Sequence, residues 1–201
     1  MLFFAFMAFS QTKKTKGYLK FGTGIYWDIS RLGFVDNFAD LSTGLKPKAI
    51  VSGEPIWLEG AVKLNNGMFV TANIMYVSLN RKYLDLIYQN QKYQYIIKNY
   101  GLNLGYEFKI GKHQKFMPQL GLIYYRNKAS LAKNDIVINN GVIQSISPYI
   151  DNIVDEEIGQ VLNLDYYYQF KNNIFLGVRT NVVYALGFEG ITFSPVLGVK
   201  F

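Results

Sequence analysis

Ile191-Thr-Phe-Ser-Pro-Val-Leu-Gly-Val-Lys-Phe201 is the stretch on which the fold assignment turns. Side chains on a strand alternate between two faces. One face here carries Ile191, Phe193, Pro195, Leu197, Val199 and Phe201, and the other Thr192, Ser194, Val196, Gly198 and Lys200. The first face is apolar up to its final aromatic residue. Terminal segments are usually frayed and solvated, so an apolar terminal strand calls for a partner along its open edge. A closed barrel in a membrane provides that partner by pairing its last strand with its first.

The same alternation recurs upstream. Residues 17–28 put Leu19, Phe21, Ile25 and Trp27 opposite Tyr18, Lys20, Gly22 and Gly24. Further strands are expected over 54–64, 68–79, 96–110, 115–127, 156–170 and 173–186. The fourth is the clearest, with Tyr100, Leu102, Leu104, Tyr106, Phe108 and Ile110 against Asn99, Gly101, Asn103, Gly105, Glu107 and Lys109. Residues 65–67, Asn-Asn-Gly, form a tight hairpin turn, because Asn and Gly tolerate positive φ. Short turns also fall at 111–114 and 171–172. The segments 29–53, 80–95 and 128–155 are expected as long loops, and 187–190 as a small one.

These spans add up to eight strands whose tight turns lie on one side and whose long loops lie on the other. The expected fold is therefore all-β: an eight-stranded antiparallel up-and-down transmembrane β-barrel with both termini periplasmic. A water-soluble eight-stranded barrel of the lipocalin kind is the structural rival. Its outer face would be rich in Lys and Glu. Here the polar face is poor in charge and rich in small residues, among them Gly22, Gly101, Gly121, Gly177 and Gly198, which suits the crowded interior of a narrow barrel. The opposite face is apolar on every strand, as lipid requires.

Composition agrees. The chain has 201 residues, enough for one domain, and no cysteine, which removes disulfides, thiolate metal sites and a Cys nucleophile. Half of it is apolar, yet no run is long enough for a transmembrane helix. The 16 Tyr and 15 Phe suit strands and membrane interfaces. The net charge of +7 comes from scattered Lys and Arg, with no basic block to line a nucleic-acid groove, so anionic lipid is the better partner. Residues 1–10, MLFFAFMAFS, read as a signal peptide, with Ala8 and Ser10 suiting a cleavage site. A polar tail (11–16) and the barrel (17–201) follow.

On these residues the chain resembles the small Gram-negative outer-membrane β-barrels of the OmpA/OmpX-like superfamily. The terminal Phe201, with Val199 and Leu197 before it, resembles the C-terminal signal of that group. The resemblance implies a monomer in the outer membrane, inserted by the barrel-assembly machinery that reads this signal. It supplies no substrate, since fold alone does not determine function. A non-enzymatic structural or surface role, with a protein partner at the extracellular loops, is the leading expectation. Alternatives are a PorT-like accessory barrel of a secretion apparatus, or an outer-membrane lipid-modifying enzyme.

Several residue groups invite a functional reading. Lys20, Lys63, Lys109, Arg179 and Lys200, with Asp28, Glu59, Glu107 and Asp165, fall on the polar face and nearly cancel, as a lumen network of paired charges would. Eight strands leave no open channel, so the barrel is expected to be plugged by its own side chains. Arg81, Lys98, Arg126 and Lys128 fall at the outer strand ends, where cations bind lipopolysaccharide phosphates or simply snorkel at the membrane rim. Asp151, Asp155, Glu156 and Glu157 are an acidic cluster whose oxygens suit Ca²⁺ or a solvated loop end. Tyr83, Ile87, Tyr88, Tyr93 and Tyr95 make the second loop aromatic, either as a binding surface or as part of the outer girdle. His113 is the only histidine and lies in a turn with no Ser nearby, so no catalytic group, cofactor or metal is assigned.

Overall fold

The computed structural model describes residues 17–28, 51–64, 67–82, 92–171, 173–185 and 187–201. The expected signal peptide (1–10), the tail (11–16), most of the first long loop and residues 83–91 of the second lie outside them. Ten strand segments form one antiparallel sheet: β1 (Gly17–Thr23), β2 (Ile25–Asp28), β3 (Val51–Lys63), β4 (Met68–Lys82), β5 (Lys92–Tyr106), β6 (Phe108–Lys109), β7 (Gln114–Asn139), β8 (Val142–Gln169), β9 (Ile174–Tyr184) and β10 (Phe188–Lys200). β1 and β2 form one stave interrupted at Gly24, and β5 and β6 another interrupted at Glu107. Eight staves result, each paired with the next.

Closure comes from the last stave meeting the first. β10 pairs with β1 from Tyr18↔Lys200 to Gly22↔Val196, while β1 pairs on its other side with β3. Gly17 and Phe201 exchange backbone hydrogen bonds of 2.8 and 3.0 Å, so Phe201 extends the ladder one residue past β10. The barrel has no free edge around its circumference.

Burial follows the alternation. Tyr18, Tyr26, Trp57, Phe69, Met117, Tyr125 and Phe175 point inward and are buried. Leu102, Leu120 and Leu122 point outward with more than 60% of their surface exposed. The lumen is narrow enough that a Cβ on Gly198 would collide with the Phe175 ring, and one on Gly121 with the backbone of β5. Along β7 the outward residues from Phe116 to Tyr124 span about 27 Å of strand, or roughly 20 Å along a tilted barrel axis, close to the ~25 Å apolar band of membrane barrels.

The long loops are shorter than the sequence suggested. β4 runs to Lys82 and β5 starts at Lys92, so only 83–91 remain between them. The expected loop over 128–155 is instead a long two-stranded ribbon, paired from Lys128↔Val154 to Asn139↔Val142. Its tip is Asn140-Gly141, with φ of 50° and 78°, the left-handed pair that a two-residue hairpin turn needs. Flanking Ile138 and Ile143 pair across the ladder, and β-branched residues on both sides outweigh the scattered Asn, Asp and Ser. The final strand also starts earlier than expected, at Phe188, after an irregularity between Phe188 and Gly190.

Candidate functional site: the charged lumen and the two rims

Two inward rows bring charges from opposite walls together. Lys20 of β1 lies directly across from Glu59 of β3, and Asp165 of β8 across from Arg179 of β9. Their side chains reach over the lumen and join. Lys20 Nζ sits 2.7 Å from Glu59 Oε1 and also pairs with Asp165. The Arg179 guanidinium takes Asp165 through Nε at 2.6 Å and Glu59 through Nη2 at 2.8 Å. It also lies over the Trp57 ring, 4.3 Å from the centroid. All four charged groups are buried, two of each sign.

Polar neighbours complete the plug. The Tyr18 hydroxyl donates to Glu59 at 2.8 Å. Gln119 Nε2 donates to Glu59 at 3.1 Å and to Asp165 at 2.9 Å, while its oxygen accepts from Thr71 at 3.2 Å. Asn103 in turn donates to Thr71 at 3.0 Å. Seven of the eight staves therefore contribute to one network. Removing four charges from water is costly, and only this density of reciprocal bonds makes it tolerable.

A second cluster closes the end with the short turns. Glu107, in the break between β5 and β6, accepts from Lys200 and from the Tyr167 hydroxyl, with Lys115 4.0 Å away. Lys200 also donates to Gln169 at 3.1 Å. The terminal stave is thus bound to the opposite wall through its own lysine.

The nine sequence-selected lumen charges do not form one network. Six of them divide between these two clusters. Lys63 is half-buried, its ammonium 5.8 Å from the centroid of the Phe69 ring. Asp28 is buried on β2, in register with Gly190 at the other end of the barrel. Lys109 is a correction: it lies on the inward register but is exposed, at the end of the two-residue strand β6. Lys115, across from Lys109, reaches Glu107 instead. Its parity with Met117 and Gln119 was the signal for it. Tyr18, Thr71, Asn103 and Gln119 were also missed, because a neutral side chain gives no sign in sequence of which carboxylate it will meet.

No protein-family model matches the sequence, and no curated protein matches it. Solved structures do. Neisserial surface protein A superposes with a TM-score of 0.59 at 12% identity, covering 92% of this chain and 97% of that one. A major outer membrane protein from Thermus thermophilus gives 0.58 at 12% identity, over 93% and 99%. Ail, the attachment invasion locus protein of Yersinia pestis, gives 0.52 at 12% identity, over 93% and 99%. The fold is that of the small eight-stranded outer-membrane β-barrels.

At the long-strand end of this barrel, Tyr76, Lys98, Arg126 and Glu156 stand in one cross-strand row on four neighbouring staves. Lys98 and Lys128 are exposed, and Arg126 pairs with Glu156 at 3.1 Å. The acidic cluster expected at Asp151, Asp155, Glu156 and Glu157 does not point one way. Strand alternation in fact turns Glu156 outward to Arg126 and Glu157 to the other face, while Asp155 is exposed. Among the described residues no group of acids and histidine converges on a metal-sized site. The backbone of Arg81 pairs with Tyr93. The side chains of Arg81, Tyr93, Tyr95 and Asp151 lie outside the described residues, as do Tyr83, Ile87 and Tyr88 entirely. His113 sits in its turn with its ring 5.3 Å from that of Tyr168. Leu197, Val199 and Phe201 face outward and are exposed.

If the mid-lumen cluster seals and braces the barrel, Arg179→Met leaves two buried carboxylates with one lysine. Urea unfolding of the folded protein in micelles should then show a loss of about 3–5 kcal/mol. The double change Arg179→Met with Asp165→Leu should recover much of that loss. A cost below about 1 kcal/mol for the single change would contradict the account.

Proposed function

We propose that this chain is a non-enzymatic integral outer-membrane β-barrel, closed inside by its own side chains, which presents the β7–β8 ribbon at the cell surface. The observation that carries this reading is the inverted distribution of polarity. An apolar band bounded by Tyr and Phe surrounds a lumen whose charges are already paired to one another. A lumen filled in this way has no room for solute flow, and its carboxylates are engaged as structural partners rather than poised as acids or bases.

In this reading the short turns face the periplasm, both termini lie there, and residues 1–10 direct export. Leu197, Val199 and Phe201 form the signal for the assembly machinery, and the barrel works as a monomer. The ribbon leaves the barrel wall above Ser130, the last β7 residue paired with β5, and above Gln160, the last β8 residue paired with β9. Beyond those rows neither edge pairs with another described strand, as suits contact with a protein partner. Lys98 and Lys128 contact lipopolysaccharide phosphates at the outer rim, together with Arg81. Arg126 contributes less, because Glu156 already neutralises it.

The chain lacks cysteine, so single cysteines report sidedness. A membrane-impermeant maleimide should label Asn140→Cys on intact cells, and Lys112→Cys only after the outer membrane is permeabilised. The reverse pattern would refute the orientation. For the rim, Lys98→Ser with Lys128→Ser should lower the lipopolysaccharide retained through detergent extraction several-fold, and Arg126→Ser should do less. Unchanged retention in the double variant would remove the contact.

A further inference from the structure

Lys109, Lys112 and Lys171 remain outside every cluster described above. All three are exposed at the short-turn end, and none forms an ion pair with a described residue. Topology brings them into one sector. Lys109 lies on β6 across from Lys115 of β7, and Lys112 in the turn just before β7. Lys171 follows β8, whose Gln169 N–H donates to the His113 carbonyl at 2.8 Å, so the two turns lie side by side. Among the described residues, Glu107 is the one acidic side chain at this rim, and Lys200 and Tyr167 engage it from the lumen side. Positive charge in this sector is therefore left uncompensated.

Directly below the lysines runs an aromatic band. Phe108, Phe116 and Tyr166 share a cross-strand row. The Tyr106 and Phe108 rings stand 4.8 Å apart, and those of Tyr168 and Phe170 5.0 Å apart. Exposed aromatic rings on a membrane barrel mark the boundary between acyl chains and headgroups. Lys112 and Lys171 stand in the turns immediately beyond this band, and Lys109, one residue past Phe108 on the inward register, is exposed at the end of β6. Flexible lysine stems extend along apolar surface and deliver a point charge to a phosphate.

We propose that this sector, from β6 to the turn after β8, binds the headgroups of anionic phospholipids in the leaflet at the short-turn end. The proposal rests on the membrane reading above. It adds a lipid preference at the rim opposite to the one assigned to lipopolysaccharide. Three adjacent staves spaced at about 4.8 Å give a patch roughly 10 Å wide, matched to one or two headgroups. An acidic protein is the less suitable occupant, because Lys112 and Lys171 stand in turns that border the aromatic belt.

The test is native mass spectrometry of the full chain folded in uncharged micelles. Phosphatidylglycerol and phosphatidylethanolamine of identical acyl chains serve as competing probes. The unmodified chain should retain phosphatidylglycerol preferentially, and the preference should fall with salt. The triple change Lys109→Gln, Lys112→Gln and Lys171→Gln should cut it by roughly fivefold for each lysine removed. The pair Lys98→Gln and Lys128→Gln, at the other rim, should leave it intact. A folded chain with no preference for phosphatidylglycerol would overturn this proposal and leave the membrane reading standing. So would full preference in the triple variant, or binding of polyglutamate without a lipid preference. A chain that never folds in micelles overturns both.

Discussion

The pairing of β10 with β1 is the interaction on which everything else depends. In a hydrocarbon solvent each unpaired backbone N–H or C=O costs several kcal/mol, so an open sheet has no stable place there. The five register pairs from Tyr18↔Lys200 to Gly22↔Val196, with the reciprocal bonds of Gly17 and Phe201, remove the last edge. Closure also fixes inside and outside. Once β10 is in register, Val199 must face outward and Lys200 inward, and a slip of one residue would exchange them.

The lumen follows from that constraint. Eight staves leave an interior just wide enough for side chains, so whatever points inward must fill it and satisfy itself. Aromatic residues such as Tyr18, Phe69 and Phe175 supply volume, with the Tyr18 ring 5.3 Å from that of Phe69. Lys20, Glu59, Asp165 and Arg179 tie opposite walls together at mid-height. The Glu107 and Lys200 pair repeats the device at the short-turn end and links the closing stave to the one formed by β5 and β6. Charge inside this barrel acts as cross-bracing. Among the described residues, the exposed cations stand towards the two ends of the barrel.

Much of this was legible in the sequence because strand alternation is a strict two-residue period. The eight staves, the apolar outer face and the crowding that selects Gly198 follow from parity alone. The ribbon was not, because Asn, Asp and Ser between 128 and 155 were read by composition. The decisive signal was the Asn140-Gly141 pair between β-branched residues, the same chemistry that marks the turn near Gly67. Parity also gave the facing direction of each lumen charge but not its depth. Lys109 points along the inward register and still ends in solvent, whereas Asp28 lies buried far from the mid-lumen cluster. Which inward rows come level across a barrel depends on strand stagger, and a single sequence does not carry stagger.

The account stands most directly on whether the chain closes into a barrel within a membrane. Membrane fractions should be run on a denaturing gel with and without boiling. The account predicts an outer-membrane band whose unboiled form migrates differently from its boiled form, because the closed hydrogen-bond ladder resists detergent until heated. A protein recovered in the aqueous fraction, with identical migration in both lanes, would contradict it.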